Sequence, residues 1–195
     1  MRRIYLAAVG LLVLVALALL GIRWWSEGVI ATLRAKEGAP QRDVASAMGQ
    51  WQPASLGDRF REGDGARTGG DQSAHFVLFT GARLVLKPSS QIRFLRNGGK
   101  GAVGLQVDMG EVDLVTERGR LTVDSQFGEI IVEANSTVSL RRNGARLTMA
   151  VQLGAIEFAH GTQHFSAGTQ VELEVGGLVV ESKPIAAGGA PVSPP

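Results

Sequence analysis

The chain has three histidines, and two of them, His160 and His164, stand four residues apart. On one face of a helix that spacing would suit two metal ligands. Gly161 and Gly168 and the alternating residues between them point to turn and strand instead. The third histidine, His75, is remote in sequence, so surface histidines and no metal site are expected. Residues 99–104, from Gly99 through Gly101 to Gly104, read G-x-G-x-x-G. A dinucleotide site needs a strand before that fingerprint and a helix after it. Here Leu105, Val107 and Met109 alternate as a strand would, and a mobile loop over residues 97–104 is expected in place of a nucleotide site. Cysteine is absent, which excludes disulfides, thiolate zinc sites, a cysteine nucleophile and a lipid anchor on cysteine. No serine sits in a G-x-S-x-G elbow and no H-E-x-x-H occurs. The reading is of a non-catalytic chain with no cofactor.

The residues singled out instead have turn chemistry. Gly63-Asp64 and Arg67-Thr68-Gly69 are expected to form a tight turn in which Asp64 and Thr68 bond backbone groups, with Arg67 as the surface contact. Gly81 marks a second turn. Asn143-Gly144 is the strongest hairpin signal, since both residues tolerate the positive φ of a type I′ turn.

The elements around these residues follow from periodicity. Apolar residues alternate at Ala31, Leu33 and Ala35, at Ala74, Phe76 and Leu78, and at Leu105, Val107 and Met109. They do so again at Leu147, Met149 and Val151, and at Val171 and Leu173. Period two means half-buried strands. Glycine, 26 of 195 residues, falls between these runs, so turns account for its excess. Strands at this spacing indicate an all-β sandwich, barrel or solenoid of short, mainly antiparallel strands. No long internal repeat is clean, although a strand–glycine–strand unit recurs at irregular spacing.

One segment differs. Residues 4–22, opened by Ile4 and closed by Ile22, carry no charge. As a helix they would reach about 28 Å, close to the hydrocarbon core of a bilayer. Arg2 and Arg3 precede the run, Arg23 follows it, and Tyr5 and Trp24-Trp25 stand at its edges, where amphipathic rings favour the interface. Residues 1–25 are therefore expected to be a transmembrane anchor, with a cleaved signal peptide as the alternative. Residues 29–182 form the expected β domain, and residues 183–195 an expected disordered tail. The economical topology is single-pass in an inner membrane, N-terminus cytoplasmic and β domain periplasmic. Beyond the run, 18 basic residues face 18 acidic ones, since two of the 20 basic residues are Arg2 and Arg3. A neutral body argues against nucleic-acid binding.

Trp51-Gln52-Pro53-Ala54 leads to Leu56-Gly57-Asp58, Gly63-Asp64, Arg67-Thr68-Gly69 and Gln72-Ser73-Ala74. A strand, the turn Thr80-Gly81, and Leu84-Val85-Leu86-Lys87-Pro88-Ser89-Ser90 follow. In order and spacing this resembles the FecR domain, over about residues 29–176. A turn that family often writes with glycine and threonine is here Asn135-Ser136-Thr137-Val138, which leaves its turn type open. The resemblance implies a FecR-like periplasmic β domain without the cytoplasmic anti-sigma segment and without the receptor-engaging C-terminal segment of the founding regulator. The expected function is a non-catalytic binding module in envelope signalling or regulation with a protein partner. The alternative is a cell-envelope scaffold or a glycan- or peptidoglycan-binding module.

Overall fold

A computed structural model describes residues 28–96, 103–125, 127–158, 163–174 and 178–185. The segment 4–22 lies outside these residues. Among them no helix is long and apolar enough to cross a membrane.

The described residues form strands almost throughout. The first group is β1 (Val29–Glu37), β2 (Gln41–Asp43), β3 (Trp51–Pro53), β4 (Arg59–Arg61), β5 (Gly65–Arg67), β6 (Ser73–Leu78), β7 (Arg83–Leu86) and β8 (Gln91–Arg96). Then come β9 (Val103–Thr116), β10 (Leu121–Ser125), β11 (Gly128–Val132), β12 (Ser136–Asn143) and β13 (Arg146–Leu153). The last are β14 (Ala155–Phe158), β15 (His164–Ser166), β16 (Thr169–Glu174) and β17 (Leu178–Pro184). A single 3₁₀ turn at Ala45–Ala47 is the only helical element described.

The strands make two sheets that share β9. The first runs β4-β1-β6-β7-β9-β12-β13-β16-β17, antiparallel at every junction. The second runs β3-β2-β5-β8-β9-β10-β11-β14-β15, and its one parallel pair is β9 with β10. The chain lays a strand or hairpin in one sheet, crosses, and lays the next in the other. This pattern joins two of the three expected architectures, a sandwich in section and a solenoid in path.

The sheets meet over one apolar core. Phe60 and Phe76 from the first sheet and Phe94 from the second form a triangle of rings with centroids 5.2, 5.3 and 5.5 Å apart. Edge-to-face and tilted contacts of this kind suit the ring quadrupoles. Along the strands the buried set alternates as period two requires, for example Ser136, Val138 and Leu140 on β12 and Leu147, Met149 and Val151 on β13.

Bulges break the alternation where sequence reading carried it through. Ala35 is exposed, because a register shift between Leu33 and Ala35 turns β1 over. Met109 is 52% exposed, although it continues the phase of Leu105 and Val107. The phase changes at Gly110, after which Val112 and Leu114 are buried. Two boundaries also move. Val103 and Gly104 belong to β9, not to a loop. β17 runs through Lys183 to Pro184, with Lys183 opposite Gln170 and Pro184 opposite Thr169, so the ordered sheet extends past the expected start of the tail.

Candidate functional site: two corner latches, a capped end and an open edge

At the corner after β7, Thr68 holds the backbone together from across the sandwich. Its Oγ1 donates to the Lys87 carbonyl at 2.5 Å and accepts from the Ser90 amide at 3.1 Å. Ser90 Oγ in turn donates to the Pro88 carbonyl at 3.0 Å and accepts from the Glu111 amide at 2.8 Å. Between them Ser89 adopts φ 54°. A corner turns every backbone group away from its ladder, and two hydroxyls here replace the missing partners.

The same set recurs further on. Thr116 Oγ1 donates to the Glu133 carbonyl at 2.5 Å and accepts from the Ser136 amide at 3.0 Å. Ser136 Oγ lies 3.4 Å from the Ala134 carbonyl and accepts from the Ala155 amide at 3.0 Å. Asn135 takes φ 55°. Thr68, Ser89, Ser90 and Gly110 thus correspond to Thr116, Asn135, Ser136 and Gly154. The fold contains an internal repeat, of which the sequence reading saw only a strand–glycine–strand unit recurring at irregular spacing. Its spacing shrinks from 48 residues (Thr68 to Thr116) to 46 (Ser90 to Ser136) to 44 (Gly110 to Gly154), which hides it from a fixed-period search. The visible trace is Val107-Asp108-Met109-Gly110-Glu111-Val112 against Val151-Gln152-Leu153-Gly154-Ala155-Ile156. Met109 and Leu153, the paired residues before each corner, are both exposed.

The first strands close one end with buried ion pairs. Asp64, 2% exposed, accepts from the Ala45 amide at 3.0 Å and the Arg61 amide at 2.9 Å, and pairs with Arg42 at 2.7 Å. Asp43 accepts from the Gly49 amide at 2.9 Å and pairs with Arg93 at 3.2 Å. Arg67 donates from Nε to Gln41 at 2.6 Å, and its guanidinium lies 4.3 Å from the Trp51 ring centre. Trp51 crosses β2 to reach Gly65, where an added Cβ would stand 3.1 Å from the ring. Asp64 and Thr68 do bond backbone groups, but not within the one tight turn expected: β5 separates them, only the Arg61 amide is local to Asp64, and the partners of Thr68 lie across the sandwich at Lys87 and Ser90. Arg67 is engaged with Gln41 and Trp51, a role sequence reading did not assign.

The turn residues do not converge on one place. Gly63, Asp64, Arg67, Thr68 and Gly69 lie along β5 and its flanks, Gly81 is in the β6–β7 turn, and Gly144 is in the β12–β13 turn at the other end of the first sheet. Asn143 is the last residue of β12, opposite Arg146, so the loop is Gly144-Ala145. Gly144 has φ 57° and neither Asn143 nor Ala145 has positive φ. That sign pattern belongs to a type II′ turn, not to the expected type I′, because the register puts the glycine first in the loop.

Of the histidines, His75 and His164 are exposed on β6 and β15, and His160 lies outside the described residues. No group of three or more metal-ligating side chains occurs among the described residues. What the arrangement offers is surface and edge. The outer edges β3, β4 and β15 are three residues each, and β3 ends in Pro53. β17 is seven residues and pairs on one side only, with β16.

The family model described as FecR protein matches residues 64–157. The chain carries a FecR domain. The matched stretch opens at Asp64 and ends just beyond Gly154, so it contains both copies of the latch. β1 to β4 precede the FecR match and β15 to β17 follow it, yet both groups hydrogen-bond into the same two sheets. Two crystal structures of a candidate anti-sigma factor from Parabacteroides distasonis are similar to this chain. One has 12% identity and a TM-score of 0.47, covering 60% of this chain and 57% of that one. The other has 11% identity and a TM-score of 0.49, covering 62% and 59%. The similarity thus spans less than two thirds of those proteins. A search of curated proteins finds no match.

The FecR family also gives meaning to the open question at Asn135. A glycine in that turn would take positive φ freely, and asparagine is the next most tolerant residue. The departure in sequence keeps the turn.

Proposed function

We propose that this chain is a membrane-anchored, periplasmic recognition module of envelope signalling, acting by binding another protein and not by catalysis. The observation that carries the reading is the FecR match over residues 64–157. The uncharged run 4–22 supports the anchor, and a neutral body supports a protein partner over a nucleic acid.

The geometry suggests how a partner engages. Unpaired backbone along an edge strand accepts an added strand, with side-chain pockets setting specificity. Three of the four edges are too short to offer this. On β17, Lys183 and Pro184 shield the C-terminal end in the way natural edges are protected, and the register shift opposite Glu172/Leu173 falls between Val179 and Glu181.

The test is site-specific photocrosslinking of the full-length chain in intact cells of its native host. A crosslinking residue at Ser182 reports on the β17 edge, and one at Ala145 reports on the far turn. Capture at Ser182 of a sigma-factor regulator or of a receptor's periplasmic domain, absent at Ala145, supports the reading. Capture of assembly proteins or peptidoglycan, with no regulator, replaces it with a scaffold or wall-binding role.

A further inference from the structure

We propose that the β6–β7 turn is a second membrane contact, with Phe79 inserting at the bilayer interface beside the point where the chain leaves its anchor. This rests on the anchoring read from residues 4–22.

The end of the first sheet that carries this turn is defined by register. β1 begins there, with Val29 opposite Arg61. β6 returns to the same end, with Leu78 opposite Ala31, and the Phe79 amide donates to the Ile30 carbonyl at 2.9 Å. Trp25 precedes Val29 by four residues, which span at most about 14 Å. If the anchoring read from residues 4–22 places Trp25 at the interface, this chain length keeps this end of the sheet within reach of the headgroups. The opposite end, with Gly144-Ala145, is the full length of β12 away.

Phe79 has no structural reason to be apolar. It is 57% exposed, while its neighbour Leu78 is buried in the core. The turn needs only Thr80 and Gly81: the Gly81 amide bonds the Leu78 carbonyl at 2.9 Å and the Leu78 amide bonds the Ala82 carbonyl at 2.8 Å. A large ring at a hairpin tip with an unburied face suits insertion among acyl chains and headgroups.

The same rim carries cations. Arg83 pairs with Glu117 at 3.0 Å and Arg120 with Glu133 at 2.9 Å. Arg61 and Arg118 are exposed and have no ion-pair partner among the described residues, and Glu62 is the nearest acidic neighbour of Arg61 in sequence. Arginine guanidinium matches phosphate geometry in an anionic leaflet. The occupant that fits an apolar tip flanked by arginines, beside a membrane exit, is a phospholipid surface.

The absence of cysteine makes the test direct. Phe79→Cys, Thr80→Cys and Ala145→Cys are made in the full-length chain and labelled with a nitroxide. Each is reconstituted into vesicles of phosphatidylethanolamine and phosphatidylglycerol. Collisional relaxation by oxygen, which partitions into lipid, is compared with that by a water-soluble nickel chelate. Oxygen should dominate at positions 79 and 80, and nickel at 145. If all three positions are equally accessible to nickel while the protein floats with the vesicles, the contact is wrong and the anchor stands. If the protein does not float with them, anchor and contact fall together.

Discussion

Gly110 lies so close over Ser90 that a Cβ added to it would stand 2.5 Å from the Ser90 Cα. Gly154 stands in the same relation to Ser136, at 2.7 Å. Both glycines have positive φ, 83° and 74°. Each marks the point where a strand ends in one sheet and its continuation enters the other. The contact is to backbone, so no side-chain rotation relieves it.

Gly110→Ala and Gly154→Ala should each destabilise the domain by about 2–4 kcal/mol, combining backbone strain with a clash that must move a corner. Gly81→Ala, with nothing within 4 Å of its added Cβ, should cost only about 1 kcal/mol through φ. Urea unfolding of the three variants checks the ranking. Equal losses would show that conformation alone, and not the close approach, makes the corner glycines necessary.

Thr68→Val and Thr116→Val should lower stability by similar amounts, about 1–3 kcal/mol each. Each removes a hydroxyl that pairs a buried amide and leaves that amide unsatisfied. Thr68→Ser should recover most of the loss. A large effect at one site and none at the other in thermal melts would contradict the equivalence of the two latches.

Gly144→Val should cost about 1–2 kcal/mol, because a β-branched residue resists φ 57°. Asn143→Ala should change stability by under about 0.5 kcal/mol, since Asn143 lies at the strand end with ordinary φ. An unchanged melting temperature in the first variant, or a large drop in the second, would overturn the type II′ assignment.

Asp64→Ala should destabilise by about 2–4 kcal/mol. It strands the Ala45 and Arg61 amides and leaves Arg42, whose guanidinium lies 5.0 Å from the Phe60 ring centre, without its carboxylate. Asp64→Asn, which retains an acceptor oxygen, should cost less. Hydrogen exchange at the Ala45 and Arg61 amides reads the effect locally: faster exchange confined to β2 through β5 is expected, and unaltered protection there would remove Asp64 from its structural role.

The all-β class, most of the buried set and the glycine turns at Gly81 and Gly144 were legible in the amino-acid sequence. These are local properties. Alternation of apolar residues reports which face of a strand is buried, and glycine or asparagine reports where positive φ is tolerated, without reference to any partner. Ala35 and Met109 were misread because a bulge shifts phase by one residue, and bulges are set by what the neighbouring strand offers.

The repeat was decided by tertiary structure. Thr68 and Ser90 are 22 residues apart and Ser90 and Gly110 are 20 apart. Their relation exists only because the sandwich folds the three into one corner. A hydroxyl that closes a corner has no periodic signature, since its partner is backbone and backbone carries no sequence. The same holds for Trp51 over Gly65, for the buried pairs of Asp43 and Asp64, and for Phe79 beside Ile30. In each case residue type stated what chemistry was on offer, and long-range strand pairing decided what it met.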